Sequence, residues 1–182
     1  MMIVRHKRTT IVASIVFTAM LALTSSGSAT MGLVQESPRK AAELVLAGKK
    51  ISVDYGAPSV RGRKIMGGLV PYGQVWRLGA NEATGFKTEA NLVIGGLNVP
   101  AGSYTLFAVP AATGWKLIIN KKTGQWGIPY PQGEDLGRAA MTASAAAKPA
   151  EQLTISVQDT QAGGMLHIDW GVSRNSIPFT VG

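Results

Sequence analysis

No cysteine occurs anywhere in the 182 residues. That excludes a disulfide framework, a thiolate metal site and a lipid-modified N-terminal cysteine, so any folded domain must be held by packing. Histidine is nearly as scarce, with only His6 and His167. Zinc, copper and haem want several nitrogen or sulfur ligands, so no metal and no such cofactor is expected. The ten acidic residues are scattered apart from Glu134-Asp135, which leaves no calcium loop. A Gly-rich phosphate loop and a dinucleotide fingerprint are also missing.

The N-terminus carries a different signal. Arg5, Lys7 and Arg8 precede an apolar run, Thr9–Leu23, and small residues from Thr24 to Ala29. The run of about 15 residues falls short of the roughly 20 that cross a bilayer. This order of charged, apolar and small residues predicts a signal peptide over residues 1–29, cleaved after Ala29 or Ser28. An uncleaved membrane anchor is the alternative. Cleavage would leave 182 − 29 = 153 residues, enough for one domain with one core. Of the 18 Lys and Arg, three leave with the leader, so 18 − 3 = 15 bases would face 10 acids, a net charge of +5. Export and the lack of a basic helical stripe argue against nucleic acid as a partner. An anionic small molecule or envelope polymer fits the modest basic excess better. The expectation is a periplasmic or secreted protein with no membrane span after cleavage.

Residues 30–40 read as a tether, and 41–182 as one β domain. Ala42–Leu46 and Lys49–Tyr55 flank a two-residue Ala47-Gly48 turn, and Asn91–Ile94 and Leu97–Val99 flank Gly95-Gly96. Ser103–Val109 is apolar on both faces, as a central strand would be. Trp115, Leu117 and Ile119 share one face of Trp115–Asn120. Leu153, Ile155 and Val157 alternate with polar residues, as do Leu166, Ile168 and Trp170, then Ile177, Phe179 and Val181. About eight or nine short strands predict an all-β, antiparallel β-sandwich or jelly-roll-like fold with little helix outside the leader. Leu136–Ala147 is ambiguous: its alanines favour helix, yet Pro149 stops it and its neighbours are strands.

The candidate site lies in Asp54–Phe86, too rich in Gly and Pro for a regular element. Arg61, Arg63 and Lys64 form a basic knot that could clamp a phosphate, a carboxylate or an acidic sugar, or simply be a solvated loop. Further on stand Tyr72, Trp76, Arg77, Asn81 and Glu82. Arg77 and Asn81 could orient a ligand between Tyr72 and Trp76, with Glu82 as a weak candidate general acid or base. A buried Arg77–Glu82 pair with Asn81 capping a turn is the structural alternative. Trp126 and Tyr130 read as a loop pair, either a sugar platform or a hydrophobic lid. A triad of Ser156, His167 and Asp169 is disfavoured, because residues i and i+2 on one strand stand nearly 7 Å apart.

These residues also carry a resemblance. SPRK at Ser37–Lys40, DYGAPSVRGRKI at Asp54–Ile65, GGLVPYGQVWRLGANEAT at Gly67–Thr84, PAGSYTLFAVP at Pro100–Pro110 and TGQWG at Thr123–Gly127 resemble the bacterial domain-of-unknown-function family 2911. EQLTIS at Glu151–Ser156 and SIPFTV at Ser176–Val181 fit as well. The resemblance covers the whole mature chain. It implies a secreted or envelope-located β domain without an assigned activity, and it tips Leu136–Ala147 toward a weak edge strand. Three functions follow as expectations. The leading one is a non-catalytic domain that binds an anionic ligand through Arg61, Arg63, Arg77 and Asn81, with Tyr72 and Trp76 as apolar walls. The others are a hydrolase or isomerase using Glu82 with Arg77, and a structural or assembly module without a ligand site.

Overall fold

A computed structural model describes residues 37–182; the signal peptide expected over 1–29 lies outside them. The described chain is all-β, two antiparallel sheets packed face to face. In chain order the strands are β1 (Arg39–Leu46), β2 (Lys49–Gly56), β3 (Thr84–Thr88), β4 (Leu92–Ile94) and β5 (Leu97–Val99). They continue with β6 (Gly102–Val109), β7 (Lys116–Asn120), β8 (Asp135–Ala140), β9 (Thr142–Thr160) and β10 (Gly163–Val181). One sheet runs β1-β2-β3-β6-β7-β8 and the other β5-β4-β10-β9.

Period-2 patterning does most of this. Ile51, Val53 and Tyr55 of β2, Leu106 of β6, and Leu117 and Ile119 of β7 point across to Leu153, Ile155, Leu166, Ile168, Ile177 and Phe179. The two tight turns are held by positive φ at Ala47 (50°) and Gly48 (73°), and at Gly95 (54°) and Gly96 (88°). That geometry matches the right-handed twist of the flanking strands. Tyr55 crosses the sandwich: its hydroxyl accepts from the Ile155 N–H at 3.0 Å and donates to the Ile155 carbonyl at 3.4 Å. Burial drives its phenol pKa up against that hydrogen bond.

Several details differ from the sequence reading. Ten strands form among the described residues, against about eight or nine expected, and β3 lies partly inside the segment expected to be irregular. Arg39 and Lys40 belong to β1 rather than to a tether, because they pair with Gly56 and Tyr55. Leu136–Ala147 is strand throughout except at the buried Met141. Before it β8 closes one edge of the six-stranded sheet, and after it β9 opens an edge of the other, so both pieces are edge strands.

The last two strands are not short. β10 turns back on itself at Gly171, whose φ is 61°, beside the exposed Val172. Asp169 then faces Arg174, His167 faces Ser176, and Gly164 lies under the Phe179 ring. Leu166, Ile168, Ile177 and Phe179 point inward as expected, whereas Val181, at the chain end, is exposed.

Candidate functional site

The 27 residues 57–83 connect β2 to β3 without regular structure, apart from isolated bridges. Positive φ recurs along them, at Arg61 (48°), Gly62 (66°), Gly67 (71°), Gly73 (75°), Leu78 (52°) and Asn81 (63°). A left-handed backbone costs a non-glycine residue about 1–2 kcal/mol. Leu78 is held there by complete burial and by its carbonyl accepting from the Thr84 hydroxyl at 2.8 Å. The segment is stitched to both sheets: Trp76 exchanges backbone hydrogen bonds with Ala108 of β6, and Val60 N–H donates to the Glu151 carbonyl of β9. Trp76 stacks on Trp170 with centroids 5.5 Å apart and meets Trp115 edge-on at 5.6 Å.

Beneath this segment opens a cavity of about 660 Å³. Arg61, Arg63, Trp76, Arg77 and Asn81 all line it, five of the six residues expected to bind a ligand. The sixth, Tyr72, does not reach the cavity; it lies against Gly67, half exposed. Trp170 and Ile128 line it too. Alternation along β10 predicts an inward Trp170 but cannot reveal that its ring ends beside a void. No carboxylate stands among the described lining residues.

The guanidinium of Arg63 donates to the Val60 and Ser59 carbonyls at 3.1 and 2.6 Å, and Arg77 Nε donates to Gly79 O at 3.3 Å. These bonds fix the two groups while leaving each with further N–H donors. Arg61 is placed by its own backbone N–H, which donates to the Glu151 carboxylate at 2.9 Å. Gly127 lets the Arg77 chain pass: a Cβ there would sit 2.6 Å from Arg77 Cδ and 2.9 Å from Asn81 O. The Trp170 indole N–H is buried without a partner among the described residues.

Glu82 does not join Arg77. The turn through Leu78 and Asn81 sends the two side chains to opposite sides of a ridge, which overturns the buried Arg77–Glu82 pair. Glu82 lies 3.6 Å from Arg39, which also holds Asp54 through two hydrogen bonds. Glu82 and Trp126 line a separate cavity of about 400 Å³ on the outer face of the six-stranded sheet.

The remaining candidates are structurally engaged. Ser156 does pair with His167 across β9 and β10, and Thr154 with Asp169. Yet Asp169 is clasped by Arg174 at 2.6 and 2.7 Å, and His167 Nδ1 meets Ser176 Oγ at 2.6 Å, so no triad forms. Burial and then the Arg174 charge lower the His167 pKa against Asp169. Asp135 receives Tyr130, Asn120 and Arg138. Burial alone would raise its pKa, but these hydrogen bonds bring it below the usual carboxylate value. Tyr130 packs edge-on against Phe107 at 5.0 Å, so the loop after β7 lids the outer face of the sheet.

No curated protein and no solved structure matches the chain. One family model, described as "Protein of unknown function (DUF2911)", matches residues 37–179. That span takes in both sheets, but for the last two residues of β10, and every described residue lining the two cavities, and the chain belongs to this family.

Proposed function

We propose that this protein is an exported, non-catalytic β-sandwich that binds an anionic ligand in the larger cavity, as a small molecule or as a charged group on an envelope polymer. One observation carries the reading: the Arg63 and Arg77 guanidinium groups line one concave site with no carboxylate among its described lining residues. An anion there accepts charge-assisted hydrogen bonds from the N–H donors that Arg63 and Arg77 have left. Asn81 adds a neutral polar group, and Trp76 supplies an apolar wall. The volume falls within the roughly 300–1,000 Å³ typical of small-ligand sites. Export rests on the charged, apolar and small-residue order of residues 1–29 and points to the periplasm or beyond.

The alternatives have less support. Glu82 and Arg77 stand in different cavities, so the acid and its electrostatic stabiliser are not assembled. A module without a ligand site would have no concave cavity beside Trp76.

Calorimetric titration with inorganic phosphate, glucuronate and galacturonate oligomers and muropeptides tests the proposal. Arg77→Met should weaken binding of whichever anion is recognised by about tenfold or more, since charged hydrogen bonds contribute about 1.5–3 kcal/mol. A melting curve for the same variant separates lost affinity from lost fold. Equal affinity in a folded Arg77→Met protein refutes this site.

A further inference from the structure

The smaller cavity sits across the ridge from the arginine site, and its chemistry is of another kind. Its floor is the outer face of β2, β3 and β6, paved with short polar side chains: Ser52 and Asp54, then Gly85, then Ser103 and Thr105. Gly85 makes the depression, since a Cβ there would come within 2.9 Å of the Asp54 carboxylate. The charged groups lining it balance, Arg39 and Lys87 against Asp54 and Glu82. Arg39 is already held by Asp54, with Glu82 beside it. An ion gains little in such a site, whereas a neutral molecule rich in hydroxyls finds both donors and acceptors.

One wall is Trp126, with 52% of its surface exposed. This indole is not on a loose loop. Trp126 bridges Glu82, Ala83 N–H donates to Gln125 O at 3.2 Å, and Gln125 Nε2 donates to Thr105 Oγ1 at 3.2 Å. The backbone that carries this exposed apolar ring is thus held in place beside a polar floor. Flat apolar ring faces flanked by hydroxyl partners are what a pyranose needs: its C–H face covers an aromatic plane while its edge hydroxyls hydrogen-bond.

We propose that this cavity is a second binding site, for a neutral saccharide. Trp126 stacks on the sugar ring, and Asp54, Glu82 and Arg39 read its hydroxyls. The site is independent of the anion site and stands or falls separately.

The test titrates the purified protein with cellotriose, maltotriose and chitotriose, following tryptophan fluorescence and the indole N–H signals by NMR. Trp76, Trp115 and Trp170 lie largely inside, so a saccharide at this site should shift the Trp126 signal first. At least one of the three should bind, and Trp126→Ala should weaken it about tenfold or more with an unchanged melting temperature. Arg77→Met should leave saccharide affinity unaltered, which keeps the two sites distinguishable. The proposal is overturned if none of the three sugars binds at tens of millimolar, or if Trp126→Ala binds as well as the parent.

Discussion

Gly56→Ala tests the geometry on which both cavities depend. Gly56 ends β2 and lies directly under the turn that carries Arg77, Asn81 and Glu82. A Cβ at this position would lie 2.1 Å from the Ala80 carbonyl oxygen, 3.0 Å from its carbon and 3.3 Å from its nitrogen. All three are backbone atoms, so no rotamer change relieves the clash. Reaching an ordinary contact of 3.4 Å requires a displacement of about 3.4 − 2.1 = 1.3 Å. β2 is laddered on both sides, to β1 and β3, so the turn must move. Moving it strains the Thr84 hydrogen bond to Leu78 and loosens the fully buried Leu78 side chain. Overpacking of this kind costs about 1–3 kcal/mol, and rigid backbone on both sides puts this case near the upper end. Urea unfolding should show a lower midpoint at constant slope. A loss below about 0.5 kcal/mol, the range of an ordinary surface change, would show that the turn is not pinned as described.

Two further outcomes are expected. Tyr55→Phe leaves the buried Ile155 N–H without its acceptor and should cost about 1–3 kcal/mol in urea unfolding; a neutral result would mean that the cross-sandwich bond contributes nothing. Asp135 has a folded pKa below its ordinary value of 3.8, so its stabilisation is complete above 3.8 and disappears as pH falls through the depressed value. The stability gap between the parent and Asp135→Asn should therefore be constant near neutral pH and close on acidification, whereas a gap that widens in acid contradicts the network.

The site was only partly legible in the sequence. A stretch crowded with glycine, arginine and aromatic residues announces an irregular backbone, and Arg61, Arg63, Trp76, Arg77 and Asn81 do converge. Glu82 was misplaced because side-chain direction there depends on the left-handed φ at Leu78 and Asn81. No propensity assigns that conformation to a buried leucine. Trp126 was identifiable as a loop residue, but its position beside Glu82 comes from long-range backbone bonds.

Chain patterning alone determined the two-sheet β fold, the inward faces of most strands and both glycine turns, since alternation and turn chemistry act between near neighbours. Tertiary structure decided that β10 folds back at Gly171, that Tyr72 stays outside, and that Arg77 and Glu82 serve different cavities. Those outcomes depend on register and close backbone approach between distant segments, such as Gly127 beside Arg77 and Gly56 under Ala80, and local periodicity does not encode them.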